Sequence, residues 1–222
     1  MSVSAVLLNW KRPWNIPLIV ERLRTVPEIN NIAIWDNSGS CPAIDDDRVY
    51  RFDIHDRDGV KRNCVTYGRF ILGDRCTDWI YTQDDDILVN NIPEILAHSE
   101  SNPNHITAAL TSGHYNHEAG KASHVQLGWG SLFRRDWIKP AFQPWLDTYG
   151  ENNLLYRKAD RIFAMMIGKE RHNPIHADVE RLKDPDGNFS DCSEDSLWKQ
   201  PDHFQLTREA AECVRKLKAS HA

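Results

Sequence analysis

Apolar runs and helical periodicity alternate along the chain. Residues 3–8 form an apolar run, which is typical of a strand buried on both faces. Residues 16–23 then place apolar side chains at helical spacing, and residues 32–35 form a second apolar run. This order of strand, helix and strand predicts a largely parallel sheet with helices packed against it.

The periodic segments continue to the end of the chain. We predict further strands over residues 48–54, 79–82, 106–111, 125–133 and 174–179. We predict helices over residues 60–72, 92–98 and 154–167, and a terminal helix capped by Thr207. The expected fold class is therefore α/β, with a mostly parallel mixed sheet flanked by helices in a single domain.

Size and composition narrow the class of protein. The 222 residues suffice for one domain with a sizeable core. The formal net charge of −5 does not favour nucleic acid or anionic lipid as a partner. No apolar run approaches the roughly 20 residues that a membrane span requires. The five cysteines are odd in number and form no Cys-x-x-Cys pair, so we expect a reducing, cytoplasmic location.

Polar residues follow three of the predicted strands at the points where the strands end. These segments are residues 9–12, 36–40 and 84–86. Ligands of open α/β sheets bind at the carboxyl ends of the strands. We therefore expect the three segments to share one crevice, although they are far apart in sequence.

The acidic triplet Asp84, Asp85 and Asp86 directly follows a predicted strand. Side chains of an extended chain alternate faces, so Asp84 and Asp86 are expected on one side and Asp85 on the other. Two carboxylates on one side form part of a site for a hard divalent cation. The alternative is a solvated turn or helix cap. We expect a solvated turn for the second triplet, residues 45–47, because no strand leads into it.

The triplet and its context resemble the Asp-x-Asp motif of GT-A glycosyltransferases, and the exostosin-like family is the most similar group. Residues 7–13, LLNWKRP, and 34–40, IWDNSGS, are similar to the first two strand-end turns of that fold. The resemblance implies a Rossmann-like GT-A fold. It also implies transfer of a hexosyl or N-acetylhexosaminyl group from a nucleotide-sugar donor, UDP-linked, to an acceptor hydroxyl, with Mn²⁺ or Mg²⁺ as cofactor.

The resemblance also implies a division of labour along the chain. Residues 1–90 would form the nucleotide-binding half and residues 91–180 the acceptor half. Residues 181–222 would supply a mobile loop and the C-terminal helix. We expect the polar part of that loop, residues 184–195, to close over the bound donor.

Seven polar residues have donor-binding roles by this resemblance. They are Asn9, Arg12, Asp36, Arg62, Arg69, Asp84 and Asp85. Asp36 would accept a hydrogen bond from uracil, and its alternative is an Asx turn that closes its own loop. Arg62 and Arg69 would reach the diphosphate, and their alternative is a solvated surface.

Further residues have metal, acceptor and catalytic roles by the same resemblance. Asp84 and Asp86 would ligate the metal together with His176, for which His172 and His203 compete.

Trp129 and Gly130 would border the acceptor, and their alternative is a β-bulge with a core tryptophan. Asp160 would be the general base for the acceptor hydroxyl, although Ala159 stands where the family usually has Glu. The alternative for Asp160 is a surface ion pair with Arg157 or Arg161.

Two other classes of protein share some of these features. A nucleotidyltransferase of similar fold would use the same metal, but it normally has a glycine-rich loop after the first strand, and residues 9–13 contain no glycine. A non-catalytic carbohydrate-binding protein could use the eight tryptophans. The aligned acidic triplet and the polar strand ends favour the enzyme.

Overall fold

The computed structural model describes residues 1–53, 64–110, 125–176, 178–190 and 196–220. The strands are β1 Val3–Asn9, β2 Ile29–Asp36, β3 Val49–Asp53, β4 Trp79–Gln83, β5 Ile87–Val89, β6 Ile106–Leu110, β7 Ser131–Arg134, β8 His172–His176 and β9 Val179–Arg181. The α-helices are α1 Ile16–Arg24, α2 Gly68–Ile71, α3 Ile92–Ser101, α4 Ile138–Tyr149, α5 Asn153–Ile167 and α6 His203–Ser220.

Seven of the described strands form one sheet in the order β3-β2-β1-β4-β7-β6-β8. Each neighbouring pair among strands β1 to β4 is parallel, so the carboxyl ends of these four strands lie at one edge of the sheet. Strand β7 runs antiparallel to both β4 and β6. Strands β5 and β9 form a separate antiparallel pair. The predicted mostly parallel mixed sheet is confirmed.

Strand β1 lies inside the sheet, and all seven of its residues are buried. Ala5 and Leu7 belong to the apolar cluster that contains buried residues of α1 and α3. Val6 and Leu8 belong to the cluster on the other face, which contains buried residues of α4, α5 and α6. The prediction of a strand buried on both faces is confirmed, and the end of β1 therefore lies at the middle of the carboxyl edge.

The segment before β4 is less regular than predicted. Residues 60–63 of the predicted helix lie outside the described part, and the remainder consists of a 3-10 turn Val65–Tyr67, the short α2 and a second 3-10 turn Leu72–Arg75. Val65 has a φ of 44°, which a right-handed helix does not allow. The continuous helix over residues 60–72 is therefore wrong.

The strand predicted over residues 125–133 is wrong in its first half. A 3-10 turn occupies Leu127–Trp129, and β7 begins only at Ser131. Gly130 separates the two with a φ of 94°, a conformation that interrupts an extended strand.

Two elements were not predicted. Helix α4 contains Pro144 in its interior, and proline there normally ends a helix. Strand β5 has only three residues, which is too short for a periodic signal.

Two further boundaries differ from the prediction. The single strand over residues 174–179 is in fact the end of β8 and the start of β9, which belong to different sheets. Thr207 does not cap α6, because the helix already begins at His203 and the Thr207 hydroxyl donates to the His203 carbonyl at 2.7 Å.

Helix α5 confirms the prediction over residues 154–167 and positions a candidate catalytic residue. Asn152 caps its first turn, where its Oδ1 accepts the backbone N–H of Leu155 at 2.9 Å. The helix is kinked at Lys158, which has a φ of −127°.

Among the described residues, no helix is long and apolar enough to cross a membrane.

The described part of the predicted mobile loop is a compact turn after β9. Asp184 Oδ1 accepts the backbone N–H groups of Asp186 at 3.0 Å and Asn188 at 2.8 Å. Residues 191–195 lie outside the described part. Closure of this loop over a donor therefore stays a prediction.

Gly68→Ala should lower the free energy of unfolding by about 1–3 kcal/mol, because a Cβ there would overlap the buried indole of Trp35. The matched control is Gly73→Ala, whose Cβ would meet only Cδ1 of Ile138, the free end of a flexible side chain. Urea denaturation of both variants measures the difference. Equal stability of the two variants would contradict this account of the α2 contact.

Candidate active site

The carboxyl ends of β1, β2 and β4 bring the three polar segments into contact. Asn9 Nδ2 donates to Asp36 Oδ1 at 2.7 Å. The backbone N–H of Trp10 donates to Asp85 Oδ2 at 2.8 Å. The prediction that these segments meet at one edge of the sheet is confirmed.

Asp36 is fully buried and closes the loop that follows β2. Its Oδ1 accepts the N–H of Gly39 at 2.9 Å, and its Oδ2 accepts the N–H of Cys41 at 3.0 Å and lies 3.0 Å from Arg51 Nη2. Burial raises the pKa of Asp36, but these hydrogen bonds, those from Asn9 and Ser38, and the charge of Arg51 outweigh it and lower the pKa. The geometry is that of the Asx-turn alternative, so the contact with uracil stays a prediction.

Asp85 points into the protein and forms a buried ion pair with Arg12. Arg12 Nη1 lies 2.7 Å from Asp85 Oδ1, and the two side chains are only 8% and 3% exposed. The same guanidinium donates to the Ser190 carbonyl at 3.0 Å and to the Ser196 hydroxyl at 3.1 Å. The structure places both residues among the contacts that hold the triplet, and their predicted binding of the donor stays a prediction.

Asp84 and Asp86 keep exposed surface on their side chains, 38% and 18% respectively. Asp84 Oδ1 accepts from Arg69 Nη2 at 2.6 Å, and Gly128 lies so close that a Cβ there would overlap the Asp84 carboxylate. Asp86 Oδ2 lies 3.6 Å from Arg12 Nη1. Asp85 is thus buried, and the other two carboxylates are partly exposed. Asp85 and Asp86 lie in the turn after β4 and approach the same guanidinium, so a common side for Asp84 and Asp86 stays a prediction.

Arg69 is fully buried and links the triplet to α5. Besides Asp84, its guanidinium contacts the Thr82 hydroxyl at 3.2 Å and lies 3.3 Å from Asp160 Oδ1 through Nε. A guanidinium enclosed in this way is placed to orient two carboxylates, whereas the sequence predicted that it would reach a diphosphate. Arg62, predicted for the same role, lies outside the described residues.

Asp160 is a carboxyl group with a pKa near neutrality. Burial raises its pKa to about 7, with a further contribution from the charge of Asp84, and Arg69 opposes the shift. Its Oδ1 is buried without a hydrogen-bond partner. The ion-pair alternative on the helix surface is not found, because Arg157 instead pairs with Asp202 at 2.6 Å. A carboxyl group with this pKa is suited to general base catalysis.

Four carboxyl groups gather at the site. Those of Asp84, Asp85, Asp86 and Asp160 lie around the guanidinium groups of Arg12 and Arg69. Such a concentration of carboxylate oxygens suits a hard divalent cation.

The described side chains alone do not complete a metal site here. In the described ranges, no three His, Cys, Asp or Glu side chains converge as a metal cluster. Mg²⁺ is commonly held by one or two carboxylates together with substrate phosphates, so Asp84 and Asp86 fit that mode of binding.

The other predicted residues lie around this centre. The backbone carbonyl of Gly130 accepts the N–H of Ala109 at 2.7 Å, and Trp129 is partly buried against the core rather than part of a β-bulge. His176 is exposed at the end of β8, which is three strands from β4.

The two competing histidines face α5. His172 Nε2 lies 2.9 Å from the Ala164 carbonyl oxygen, and His203 Nδ1 lies 3.0 Å from Lys158 Nζ. The acceptor roles of Trp129 and Gly130 and the metal role of His176 stay predictions.

The sequence matches no protein-family model and no curated protein. Solved structures do match. TarS of S. aureus superposes with a TM-score of 0.56 at 11% identity, over 96% of this chain and 39% of TarS. The mannosyltransferase PcManGT of Pyrobaculum calidifontis, solved in complex with GDP-Man and Mn2+, superposes with a TM-score of 0.52 at 12% identity, over 78% of this chain and 54% of that one.

A third match is a cytidylyltransferase. The 2-C-methyl-D-erythritol 4-phosphate cytidylyltransferase of Francisella tularensis superposes with a TM-score of 0.50 at 9% identity, over 83% of this chain and 96% of that one. This chain thus spans well under two thirds of the first two proteins. The similarities show a GT-A fold, which confirms the predicted fold class.

Arg12→Met should lower the free energy of unfolding by about 3–5 kcal/mol, because it leaves the buried carboxylate of Asp85 without its cation. The control is Arg134→Met, which breaks an exposed pair with Asp136 and should cost under about 1 kcal/mol. Chemical denaturation measures both. Similar small losses in the two variants would show that the Arg12 pair does not hold this edge together.

Proposed function

We propose that this chain is a metal-dependent glycosyltransferase that moves a sugar from a nucleotide diphosphate sugar to an acceptor hydroxyl. The observation that carries the proposal is the arrangement of Asp84, Asp86 and Asp160. Two partly exposed carboxylates, those of Asp84 and Asp86, lie at the carboxyl edge of a GT-A sheet. Arg69 links Asp84 to Asp160, a carboxyl group with a near-neutral pKa. The match to a mannosyltransferase solved with GDP-Man and Mn2+ supports it.

The donor half of the site would be built on Asp84 and Asp86. These carboxylates would hold Mn²⁺ or Mg²⁺, which, when bound, neutralises the charge that develops on the leaving diphosphate. Arg69 fixes the orientation of Asp84 through its 2.6 Å hydrogen bond. Asp85 supports these two ligands indirectly, because its ion pair with Arg12 anchors the segment that carries them.

The nucleotide is proposed to be uridine diphosphate and to lie against Asn9. Asn9 Nδ2 is taken by Asp36 and Ser38, but its Oδ1 is buried without a hydrogen-bond partner. Such an oxygen is costly to leave unpaired, and an N–H of a uracil ring would satisfy it. Asp36 accepts from its own loop through both oxygens and orients Asn9, while its direct contact with uracil stays a prediction.

The acceptor half would be built on Asp160 and Trp129. The Asp160 carboxylate takes the proton of the acceptor hydroxyl as that oxygen bonds to the anomeric carbon and the bond to the diphosphate breaks. Trp129 offers an indole face to a sugar ring beside Gly130. We propose a hexosyl or N-acetylhexosaminyl group as the transferred sugar. If the transfer retains the anomeric configuration, the role of Asp160 would be to position the acceptor.

A nucleotidyltransferase is the second candidate, because one such enzyme superposes with a TM-score of 0.50. That chemistry needs cationic groups free to bind the triphosphate of a nucleotide. The turn after β1 offers no glycine, and its Arg12 is enclosed by Asp85, Ser190 and Ser196. The geometry therefore favours glycosyl transfer.

Asp86→Ala should remove most metal-dependent affinity for UDP and leave the fold intact, because a partly exposed carboxylate contributes little to the core. Asp47→Ala, in the exposed second triplet, is the matched control. Calorimetry with UDP and Mn²⁺ measures both variants. If Asp86→Ala binds UDP and Mn²⁺ as the unmodified chain does, the assignment of Asp86 as a ligand fails.

Asp160→Asn should slow release of UDP from a donor sugar by roughly 10²–10⁴-fold while UDP affinity survives. Because the pKa of Asp160 is raised to about 7, the proton leaves near neutrality, and the rate of the unmodified chain should rise as pH increases through that value. The asparagine variant should lack this rise.

The control for Asp160 is Asp147→Asn, an exposed aspartate on α4. A smaller loss of rate, with weaker acceptor binding and a retained anomer in the product, would assign Asp160 to positioning. A normal rate and a normal pH profile in Asp160→Asn would remove it from the site.

A further inference from the structure

Helix α5 carries a second charged residue next to Asp160, Arg161, for which the described part of the chain supplies no counterion. Arg161 is partly buried, and its Nε is buried without a hydrogen-bond partner. Among the described residues, no carboxylate forms an ion pair with it. The sequence suggested Arg161 as a surface partner of Asp160, but Asp160 faces Arg69 instead.

Comparison with the other buried arginines shows how unusual this environment is. Acidic neighbours raise the pKa of Arg12 and of Arg69 despite the burial of both groups. Burial lowers the pKa of Arg161, and no charge of a described carboxylate opposes that shift. A desolvated guanidinium without a counterion is costly, and an anionic ligand would remove that cost.

The neighbours of Arg161 are themselves cationic. Arg157 is held by Asp202 at 2.6 and 2.7 Å, and Lys158 is buried against His203 at 3.0 Å. Burial, with the charges of Arg157 and Arg161, lowers the pKa of Lys158 to about 8 in spite of Asp202. We call Arg157, Lys158 and Arg161 the α5 cationic patch. Asp202, which lies beside the patch, is already paired with Arg157, in a chain whose net charge is −5.

The position of the patch relates it to the acceptor. Asp160 and Arg161 are consecutive residues in the part of α5 that follows the kink at Lys158. Their Cα atoms are about 3.8 Å apart, although their side chains leave the helix in different directions. An acceptor with its hydroxyl at Asp160 that extends along the helix would bring a further group within reach of the long side chain of Arg161. Arg157 and Lys158 have committed donors and contribute positive potential, whereas the guanidinium of Arg161 can still form hydrogen bonds to a ligand.

We propose that Arg161 binds an anionic group of the acceptor, a phosphate or a carboxylate, so that the enzyme glycosylates an anionic acceptor rather than a neutral sugar. This inference rests on the proposed glycosyl transfer. A guanidinium matches the geometry of phosphate and carboxylate oxygens and binds them through charge-assisted hydrogen bonds. The other source of such a group is the diphosphate of the donor itself, and the experiment separates the two.

The experiment titrates glycerol 3-phosphate into the protein saturated with UDP and Mg²⁺, followed by NMR, with neutral glycerol as the comparison ligand. We expect glycerol 3-phosphate to bind alongside UDP and glycerol not to bind. Arg161→Gln should weaken binding of glycerol 3-phosphate by about tenfold or more and leave UDP affinity unchanged. Arg208→Gln, which removes an exposed arginine of α6, should change neither.

The stability of the variant separates a ligand-binding role from a structural one. If Arg161 is held for a ligand, Arg161→Gln should keep or raise the melting temperature, because it removes an uncompensated charge. A lower melting temperature together with unchanged affinity for glycerol 3-phosphate overturns the proposal.

Two further outcomes overturn the proposal. Equal affinity for glycerol 3-phosphate in the unmodified chain and Arg161→Gln shows that Arg161 binds no such group. Displacement of glycerol 3-phosphate by UDP, with weaker UDP binding in Arg161→Gln, assigns the anion to the donor.

Failure of the proposed function gives a different result. If the unmodified chain binds no UDP and releases none from a donor sugar, glycosyl transfer fails. The same titration without UDP then still measures whether Arg161 binds the phosphate ester.

Discussion

The ion pair between Arg12 and Asp85 is the interaction on which the rest of the carboxyl edge depends. It joins the turn after β1 to the acidic triplet after β4, and the same guanidinium reaches Ser190 and Ser196 beyond β9. Both charges are almost completely buried, so the loss of either would leave the other without compensation. Because this pair fixes Asp85 inside the protein, it also fixes the backbone that carries the partly exposed carboxylates of Asp84 and Asp86.

The two acidic triplets illustrate how context decides the chemistry of identical residues. In the second triplet, Asp46 accepts from Arg24, at the end of α1, at 2.6 Å and from the backbone N–H of Arg48 at 2.7 Å. In the first triplet, the partners of the carboxylates are Arg12, in the turn after β1, and Arg69 on α2. Only the first triplet lies at the carboxyl edge of the parallel strands, where ligands of such sheets bind.

Much of the fold could be predicted because buried strands and amphipathic helices have clear periods. Residues 3–8 and 154–167 are examples, and their strand and helix were predicted within a residue or two of the observed bounds. Irregular backbone has no such period, so the positive φ values of Val65 and Gly130 were not predictable and two elements were misjudged. Helix α4 was not predicted, because Pro144 lies in its interior.

The candidate site could be located from sequence, but the partners of its residues could not. Strand ends were enough to predict that residues 9–12, 36–40 and 84–86 meet. Whether a side chain turns toward a ligand or toward the core depends on tertiary neighbours, and sequence alone did not show that Arg12 and Arg69 turn inward. The sequence showed only that residue 128 is a glycine, which permits close approach of another segment. It did not show that Gly128 lies against the Asp84 carboxylate.

The enclosure of Arg69 between Asp84 and Asp160 has a consequence for conformational entropy. These carboxylates belong to residues 76 positions apart (160 − 84), and a single buried cation holds both in place as soon as the chain folds. A binding site normally loses side-chain conformational entropy when it becomes ordered around a ligand. For these two carboxylates, that entropy is lost when the chain folds, before a ligand binds. Their geometry accordingly depends on the packing around α2 and α5 rather than on occupancy of the site.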